Sequence, residues 1–170
     1  LLGNPVGEGA ELLIEAFEQN NKVRTLLGIV EGTEVLDLSE KDVDPGLVKI
    51  LGAELRLARN TAALTSLSLS CNAITGSKKK LDRRSRPTGD WKYDLDLSGL
   101  VALGEGMAAS KTLASVDFSG CQMGPAAVTE LSKFIPSAAA LTELNVAMND
   151  IGVDDVSGLA ALGEGMAASQ

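Results

Sequence analysis

Apolar residues recur along this chain at a fixed spacing. Three segments, which begin at Leu64, Leu113 and Leu141, place apolar side chains at positions one, four and six, Asn or Cys at position nine and another apolar residue at position eleven. The alternation over positions four to six predicts a short strand with one side facing a core. The Asn or Cys indicates a turn in which its side chain satisfies backbone groups that leave the strand. One such unit cannot bury its own apolar face, so the recurrence predicts stacked units.

Helical segments separate these strand motifs. After the motif that begins at Leu113, the apolar residues Val128, Leu131 and Ile135 follow the spacing of a helix. The motifs at Leu113 and Leu141 start 28 residues apart. A strand followed by a helix at this interval predicts the α/β class, as a curved solenoid with a parallel sheet on its concave side and helices on its convex side.

A false repeat strand stands at residues 95–98, which read Leu-Asp-Leu-Ser. The 15 residues from Asp96 match the 15 residues from Asp155 at 13 positions, and the second copy follows its strand, where a helix belongs. We therefore predict a helix over residues 98–109 on the convex side. The same alignment leaves residues 77–94 as an insertion in the repeat.

The first third of the chain fits the pattern less well. Leu36, Leu38 and Val43 are in phase with the motif and indicate a degenerate repeat, which predicts a longer helix over residues 45–59. Residues 23–35 start another motif but leave too little chain for a helix. They are predicted to form an irregular junction.

The repeat resembles the ribonuclease-inhibitor-like class of leucine-rich repeats, whose units have this length and carry a full helix on the convex side. The resemblance implies one leucine-rich-repeat array over residues 1–170, with a role in binding another protein. Leu1, Asn4 and Val6 fit the end of a preceding unit, and the last residues fit the end of a helix. We therefore expect the array to be truncated at both ends, as a fragment of a longer protein.

Composition narrows the function classes further. The formal charge of −8 disfavours a nucleic-acid partner, and the absence of histidine excludes catalysis by that residue. Cys71 and Cys121 are too few for a disulfide framework and lack metal-ligand spacing. We expect no catalytic residues, no metal site and no cofactor, and hence not an enzyme.

No apolar stretch reaches the length of about 18 residues that predicts a membrane helix. The free cysteines favour an intracellular, cytoplasmic location, and the oligomeric state is left open.

The polar positions of the strand motifs predict a partner-binding surface. Side chains alternate along a strand, so the residues between the buried positions point to the concave face. The predicted partner-binding residues there are Asp37, Ser66, Ser68, Ser115, Asp117, Glu143 and Asn145. The alternative is an ordinary solvated sheet, because the face lacks the Tyr, Trp and Arg anchors that many binding surfaces carry.

The insertion concentrates positive charge. Residues 77–94 contain seven basic and three acidic residues, a local charge of +4 that leaves −12 for the remainder. Its predicted basic residues are Lys78, Lys79, Lys80, Arg83, Arg84 and Arg86. Such a run is typical of a solvated flexible loop and less often of a nuclear-import or nucleic-acid patch, which leaves a nuclear location open. We expect a mobile loop that either covers the acidic sheet face or recruits an acidic partner, with Trp91 and Tyr93 tethering its far end.

Two functions are open at this point. An open surface without a catalytic constellation favours a protein–protein interaction scaffold that binds through the concave face or its rim. The alternative is a regulatory or sensor repeat segment that restrains a neighbouring domain of a larger protein. The step from repeat class to role is analogy, because a fold does not fix a function.

Overall fold

A computed structural model describes residues 1–7, 9–82, 84–85, 87–152 and 155–169 of the chain. These residues form five α-helices, six β-strands and one short 3-10 helix at Ile135–Ser137. In chain order the helices and strands are α1 (Gly9–Gln19), β1 (Val35–Asp37), α2 (Pro45–Leu57), β2 (Ser66–Ser68), β3 (Lys78–Leu81), β4 (Pro87–Lys92), α3 (Ser98–Ala109), β5 (Ser115–Asp117), α4 (Pro125–Ser132), β6 (Glu143–Asn145) and α5 (Ser157–Ala168).

Four of the strands form one parallel sheet in the order β1-β2-β5-β6. Their middle residues, Leu36, Leu67, Val116 and Leu144, lie side by side in register. All four pack into one hydrophobic core with apolar residues of the helices, and Leu67 and Val116 are almost fully buried there. The prediction of an α/β fold with a parallel sheet is confirmed, and the curvature of the sheet stays a prediction.

Neighbouring helices approach so closely that two positions require glycine. A Cβ atom on Gly52 of α2 would lie 2.3 Å from the carbonyl oxygen of Ala102 in α3. In the other direction, a Cβ atom on Gly106 of α3 would lie 2.6 Å from the carbonyl oxygen of Gly52. Without side chains at these positions the two helix backbones come into direct contact, and the Gly-rich sequence of α3 follows from this packing.

The predicted helices begin where the sequence places them. α3 covers the predicted residues 98–109, and α2 begins at Pro45, directly after Asp44, whose side chain caps the helix. α2 ends slightly before the predicted residue 59, because Ala58 takes a left-handed φ of 51° that closes the helix. The false repeat strand at residues 95–98 forms no strand, as predicted.

The junction before β1 is irregular but well connected. Residues 20–34 are all described and contain no helix or strand. The buried carboxylate of Glu54 in α2 accepts a hydrogen bond of 2.9 Å from the Leu27 N–H and further bonds from the Thr25 hydroxyl. Arg59 donates hydrogen bonds to backbone carbonyl oxygens in the last turn of α1 and just after it, including that of Phe17 at 2.9 Å. Glu54 in α2 and Arg59 just after it therefore hold this junction.

The insertion forms an antiparallel hairpin of β3 and β4, separate from the four-stranded sheet. The sequence predicted a loop, because a run of three lysines and a segment with Pro and Gly have little strand character. In the hairpin Lys79 opposes Trp91, with the ammonium group 5.6 Å from the ring centroid in a cation–π contact that favours this pairing. Of the predicted basic residues, Arg83 and Arg86 lie outside the described residues. The mobility of the segment stays a prediction.

Candidate partner-binding face

The predicted binding residues line up across the parallel sheet in two rows. Row one consists of Ser66, Ser115 and Glu143, and row two of Asp37, Ser68, Asp117 and Asn145. Both rows alternate with the middle residues of the strands, which pack into the core, so the rows lie on the strand face opposite the core. We call this surface the open sheet face. The structure brings all seven residues together, and their role in binding stays a prediction.

The open sheet face is accessible to a partner. Asp37, Glu143 and Asn145 are exposed, and the other members of the two rows are half-buried. Between β5 and β6 the strand residues line a shallow depression of about 430 Å³. A partner surface can therefore reach the polar groups of both rows without any rearrangement of the sheet.

Row two also closes the turns that follow the strands. Asp37, Asp117 and Asn145 each accept a hydrogen bond of 2.8–3.0 Å from the backbone N–H two residues later. Ser68 repeats the arrangement, with its hydroxyl oxygen 3.4 Å from the backbone nitrogen of Ser70. Such bonds satisfy backbone groups that leave the sheet. Row one makes no side-chain hydrogen bond to any described residue, so the polar groups of row one are the ones left for a ligand.

The open sheet face is acidic. Asp37, Asp117 and Glu143 supply three carboxylates, and neither row contains a basic residue. Hydrogen bonds from the Ser39 side chain and backbone lower the pKa of Asp37 below its ordinary value. This carboxylate is therefore ionised at neutral pH, and the face attracts positively charged groups.

A buried polar ladder under the turns fixes the register of the strands. The Asn72 amide donates hydrogen bonds to three carbonyl oxygens and accepts two from backbone N–H groups; its partners are Leu38, Leu69, Ser70, Lys41 and Val43. Asn149 makes equivalent contacts two units later, to the carbonyl oxygen of Phe118 and the N–H of Met123. Each amide reaches the preceding unit, so the ladder sets the alignment of the two rows above it.

Cysteine takes the place of asparagine in the middle unit. The Cys121 thiol lies 3.1 Å from the Leu69 carbonyl oxygen, to which it donates a hydrogen bond. Burial raises the pKa of this thiol to about 12, so it is protonated and not a nucleophile at neutral pH. Cys71 is exposed and free, at a left-handed φ of 58° in the turn after β2.

Two residues at the base of the insertion connect it to later units. The Tyr93 hydroxyl donates a hydrogen bond of 2.8 Å to the Asp150 carboxylate, and burial followed by this bond raises the pKa of Tyr93 to about 12. Asp94 accepts hydrogen bonds from the N–H groups of Gly124 and Ala127 at the start of α4. The predicted tether through Tyr93 is confirmed. The capping of α4 by Asp94 was not predicted, because the residues involved lie far apart in sequence.

The described residues contain neither a group of metal-binding side chains nor a helix suited to a membrane. Within the described ranges, no group of three or more His, Cys, Asp or Glu side chains could hold a metal ion. In the same part of the chain, no helix combines the length and apolar character needed to cross a bilayer. What the open sheet face offers is charge and hydrogen-bonding groups on a parallel sheet.

Comparison with known families adds to this geometry. A family model described as Leucine Rich repeat matches residues 63–77 and 140–160. Each matched segment contains one strand of the parallel sheet, β2 or β6, and the turn that follows it. The chain matches no curated protein.

Proposed function

We propose that this chain, which the two family matches support as a leucine-rich repeat protein, is a non-enzymatic module that binds another protein through the open sheet face. Repeats of this family generally mediate protein–protein interaction. The observation that carries the proposal is the register of four parallel strands, which aligns two polar rows on a face that the core does not use. A pre-formed surface of this kind binds at a lower cost in backbone ordering.

We assign the repeats to the ribonuclease-inhibitor-like class, with the open sheet face on the concave side of a curved array. The assignment is supported by the order of elements, since each strand of the parallel sheet is followed by a helix before the next strand of that sheet. Close helix packing through Gly52 and Gly106 also supports it, because stacked units of this type place their helices side by side.

The partner surface is basic. The open sheet face presents three carboxylates among serine and asparagine side chains and has no basic residue in either row. Complementary charge accelerates encounter and disfavours acidic competitors, so Lys and Arg side chains of a partner fit this face best. Row one supplies the free hydrogen-bonding groups, and the depression between β5 and β6 gives room for a long basic side chain.

Reversing the charge of row one tests the proposal without breaking the turn bonds of row two. The variant combines Ser66→Arg, Ser115→Arg and Glu143→Arg and changes the formal charge by +4. Partners captured from cell extract by the unmodified protein are purified, and their affinities for both proteins are measured by calorimetry. We expect a partner with a basic surface to bind the variant at least about tenfold more weakly, because like charges then meet in the interface.

A matched control separates the face from net charge. Three exposed helix positions are changed in the control variant, which also gains +4; they are Glu105→Arg, Ala109→Arg and Ala160→Arg. The control is expected to bind like the unmodified protein. Equal affinity of the row-one variant and the unmodified protein for every captured partner would exclude the open sheet face as the binding site. Circular dichroism confirms that both variants stay folded.

A further inference from the structure

A second surface, distinct from the open sheet face, is formed by the hairpin of β3 and β4, which we call the basic hairpin. These two strands carry four lysines and one aspartate, and all of β3 is exposed. The body of the protein has the opposite sign, since the chain without residues 77–94 carries a formal charge of −12. The hairpin is therefore a compact positive feature on an acidic molecule.

The base of the basic hairpin is held in place by hydrogen bonds. The backbone N–H of Asp94 donates to the Ser77 hydroxyl at 2.9 Å, which closes the two ends of the insertion. Tyr93 is bonded to Asp150, and its ring stacks on Trp91 with centroids 6.1 Å apart. The strands thus emerge from a base that is held by hydrogen bonds.

Like charges meet directly across the hairpin next to this base. Lys78 and Lys92 are opposite each other in the antiparallel register. Both are exposed, and neither forms an ion pair with a carboxylate of a described residue. Like charges in directly opposed positions destabilise a strand pair. An anionic ligand that lies between the two ammonium groups relieves this repulsion.

We propose that the basic hairpin binds a short, acidic, extended segment of a partner protein, with carboxylates placed at Lys78 and Lys92. The length of the hairpin favours such a segment over a long polyanion. Six strand residues span roughly 20 Å, whereas duplex DNA carries a negative charge at about every 1.7 Å along its whole length. A nucleic acid that follows the hairpin continues onto the acidic body, where it is repelled, and a short peptide does not.

The only tryptophan of the chain reports directly on this site. Trp91 lies one residue from Lys92 and opposite Lys79, so a ligand on the hairpin changes its environment. The probes are an octaglutamate peptide and, for comparison, octathymidylate, each titrated while the tryptophan emission of the full chain is recorded. We expect octaglutamate to change the emission with an affinity that falls as salt is added, and octathymidylate to bind more weakly.

The deciding variant is Lys78→Glu, which turns the repulsive pair into an attractive one. An opposite-charge pair across the strands favours the hairpin, so loss of binding cannot come from loss of the strands. Retained near-ultraviolet dichroism of Trp91 and Tyr93 shows that the hairpin is intact. We expect octaglutamate to bind this variant roughly tenfold more weakly than the unmodified protein.

The matched control is Lys111→Glu, an exposed lysine just after α3 that gives the same net charge. It is expected to bind octaglutamate with nearly unchanged affinity. The proposal is overturned if both substitutions weaken binding equally, because net charge alone then explains the effect. It is also overturned if octathymidylate binds more tightly than octaglutamate, or if octaglutamate leaves the Trp91 emission unchanged. These outcomes are independent of the test of the open sheet face, because that test changes the row-one residues and uses a basic partner instead of an acidic peptide.

Discussion

At the residue scale, polar side chains in the strand units divide into those that satisfy the backbone and those that stay available to solvent. Asn72 and Asn149 belong to the first group, since their amides bond backbone groups in their own unit and the preceding one. Ser66 and Ser115 belong to the second. The row-two residues belong to both groups. Substitutions in row one therefore change the binding surface without breaking the hydrogen bonds of the turns.

The cost of removing a ladder amide follows from the number of backbone groups it satisfies. Asn72→Ala leaves five buried or partly buried hydrogen bonds unmade. We expect the free energy of unfolding to fall by about 3 kcal/mol, since each unsatisfied buried group costs about 1–3 kcal/mol and water restores part of the loss. Urea denaturation of the variant and the unmodified protein measures the difference.

The control for this prediction is Asn145→Ala, in which an exposed side chain loses one turn bond. In this variant the free energy of unfolding is expected to fall by about 1 kcal/mol or less, because water replaces the lost hydrogen-bond partner. Similar losses at Asn72 and Asn145 would contradict a special role for the buried ladder.

At the element scale, the sequence predicts the strands and helices of the units because their apolar residues repeat with the periods of those structures. The placement of α3 at residues 98–109 depends on comparing two copies of one sequence. The basic hairpin gives no such signal, because its strands are charged, contain Pro and Gly, and lack apolar alternation, while the contact of Lys79 with Trp91 joins residues far apart in sequence. Its existence depends on contacts that no local pattern records.

The contacts between elements were the least predictable part. The N-cap residue of α4 is Gly124, which has no side chain to cap the helix. Asp94 supplies the cap from 30 residues earlier in the sequence, by accepting a hydrogen bond from the Gly124 N–H. Glu54 likewise stabilises a junction 27 residues upstream, through the Leu27 N–H. The sequence identifies these residues only as charged helix or loop positions. Of the open sheet face, by contrast, all seven members follow from strand alternation and the alignment of the repeats.

The anchor of the hairpin leads to a prediction about pH. The pKa of Tyr93 is raised from 10.0 to about 12 by burial and then by the hydrogen bond to Asp150. The neutral phenol is thus favoured in the folded state, so its contribution to stability is complete below pH 10 and is lost as the pH rises towards 12. Because Tyr93 is the only tyrosine, phenolate absorbance titrates it without interference.

The variant Asp150→Asn removes the negative charge beside the phenol and keeps a group that accepts a hydrogen bond. We expect the pKa of Tyr93 to move back towards 10.0 in this variant. The control is Asp155→Asn, in which the lost carboxylate accepts hydrogen bonds from Ser157. If both variants titrate alike, the bond between Tyr93 and Asp150 does not determine the pKa.

At the scale of the whole molecule, the described strands and helices pack side by side, and the charged insertion lies between two of the packed units. The insertion leaves the stack after β2 and returns before α3, yet the units on either side of it remain in contact. β2 pairs with β5 across the interruption, and α2 packs directly on α3. The strength of a stack depends on such interfaces between neighbours. The two parts of the chain are therefore held together by contacts that do not depend on the connection through residues 77–94.

Limited proteolysis tests this arrangement. Trypsin is expected to cut the insertion between Lys78 and Lys92 first, because its exposed lysines lie on a small two-stranded hairpin outside the core, and such isolated hairpins are marginally stable. Body residues such as Arg59, which is fixed by hydrogen bonds to backbone carbonyl oxygens, are expected to be cut much later. Under native conditions the two fragments should co-elute in size-exclusion chromatography, since the β2–β5 pairing and the α2–α3 contact persist. In denaturant they should separate. Fragments that separate without denaturant would show that the insertion, and not the packed units, holds the two parts together. An insertion that resists trypsin while the body is cut would show that the hairpin is as stable as the body of the protein.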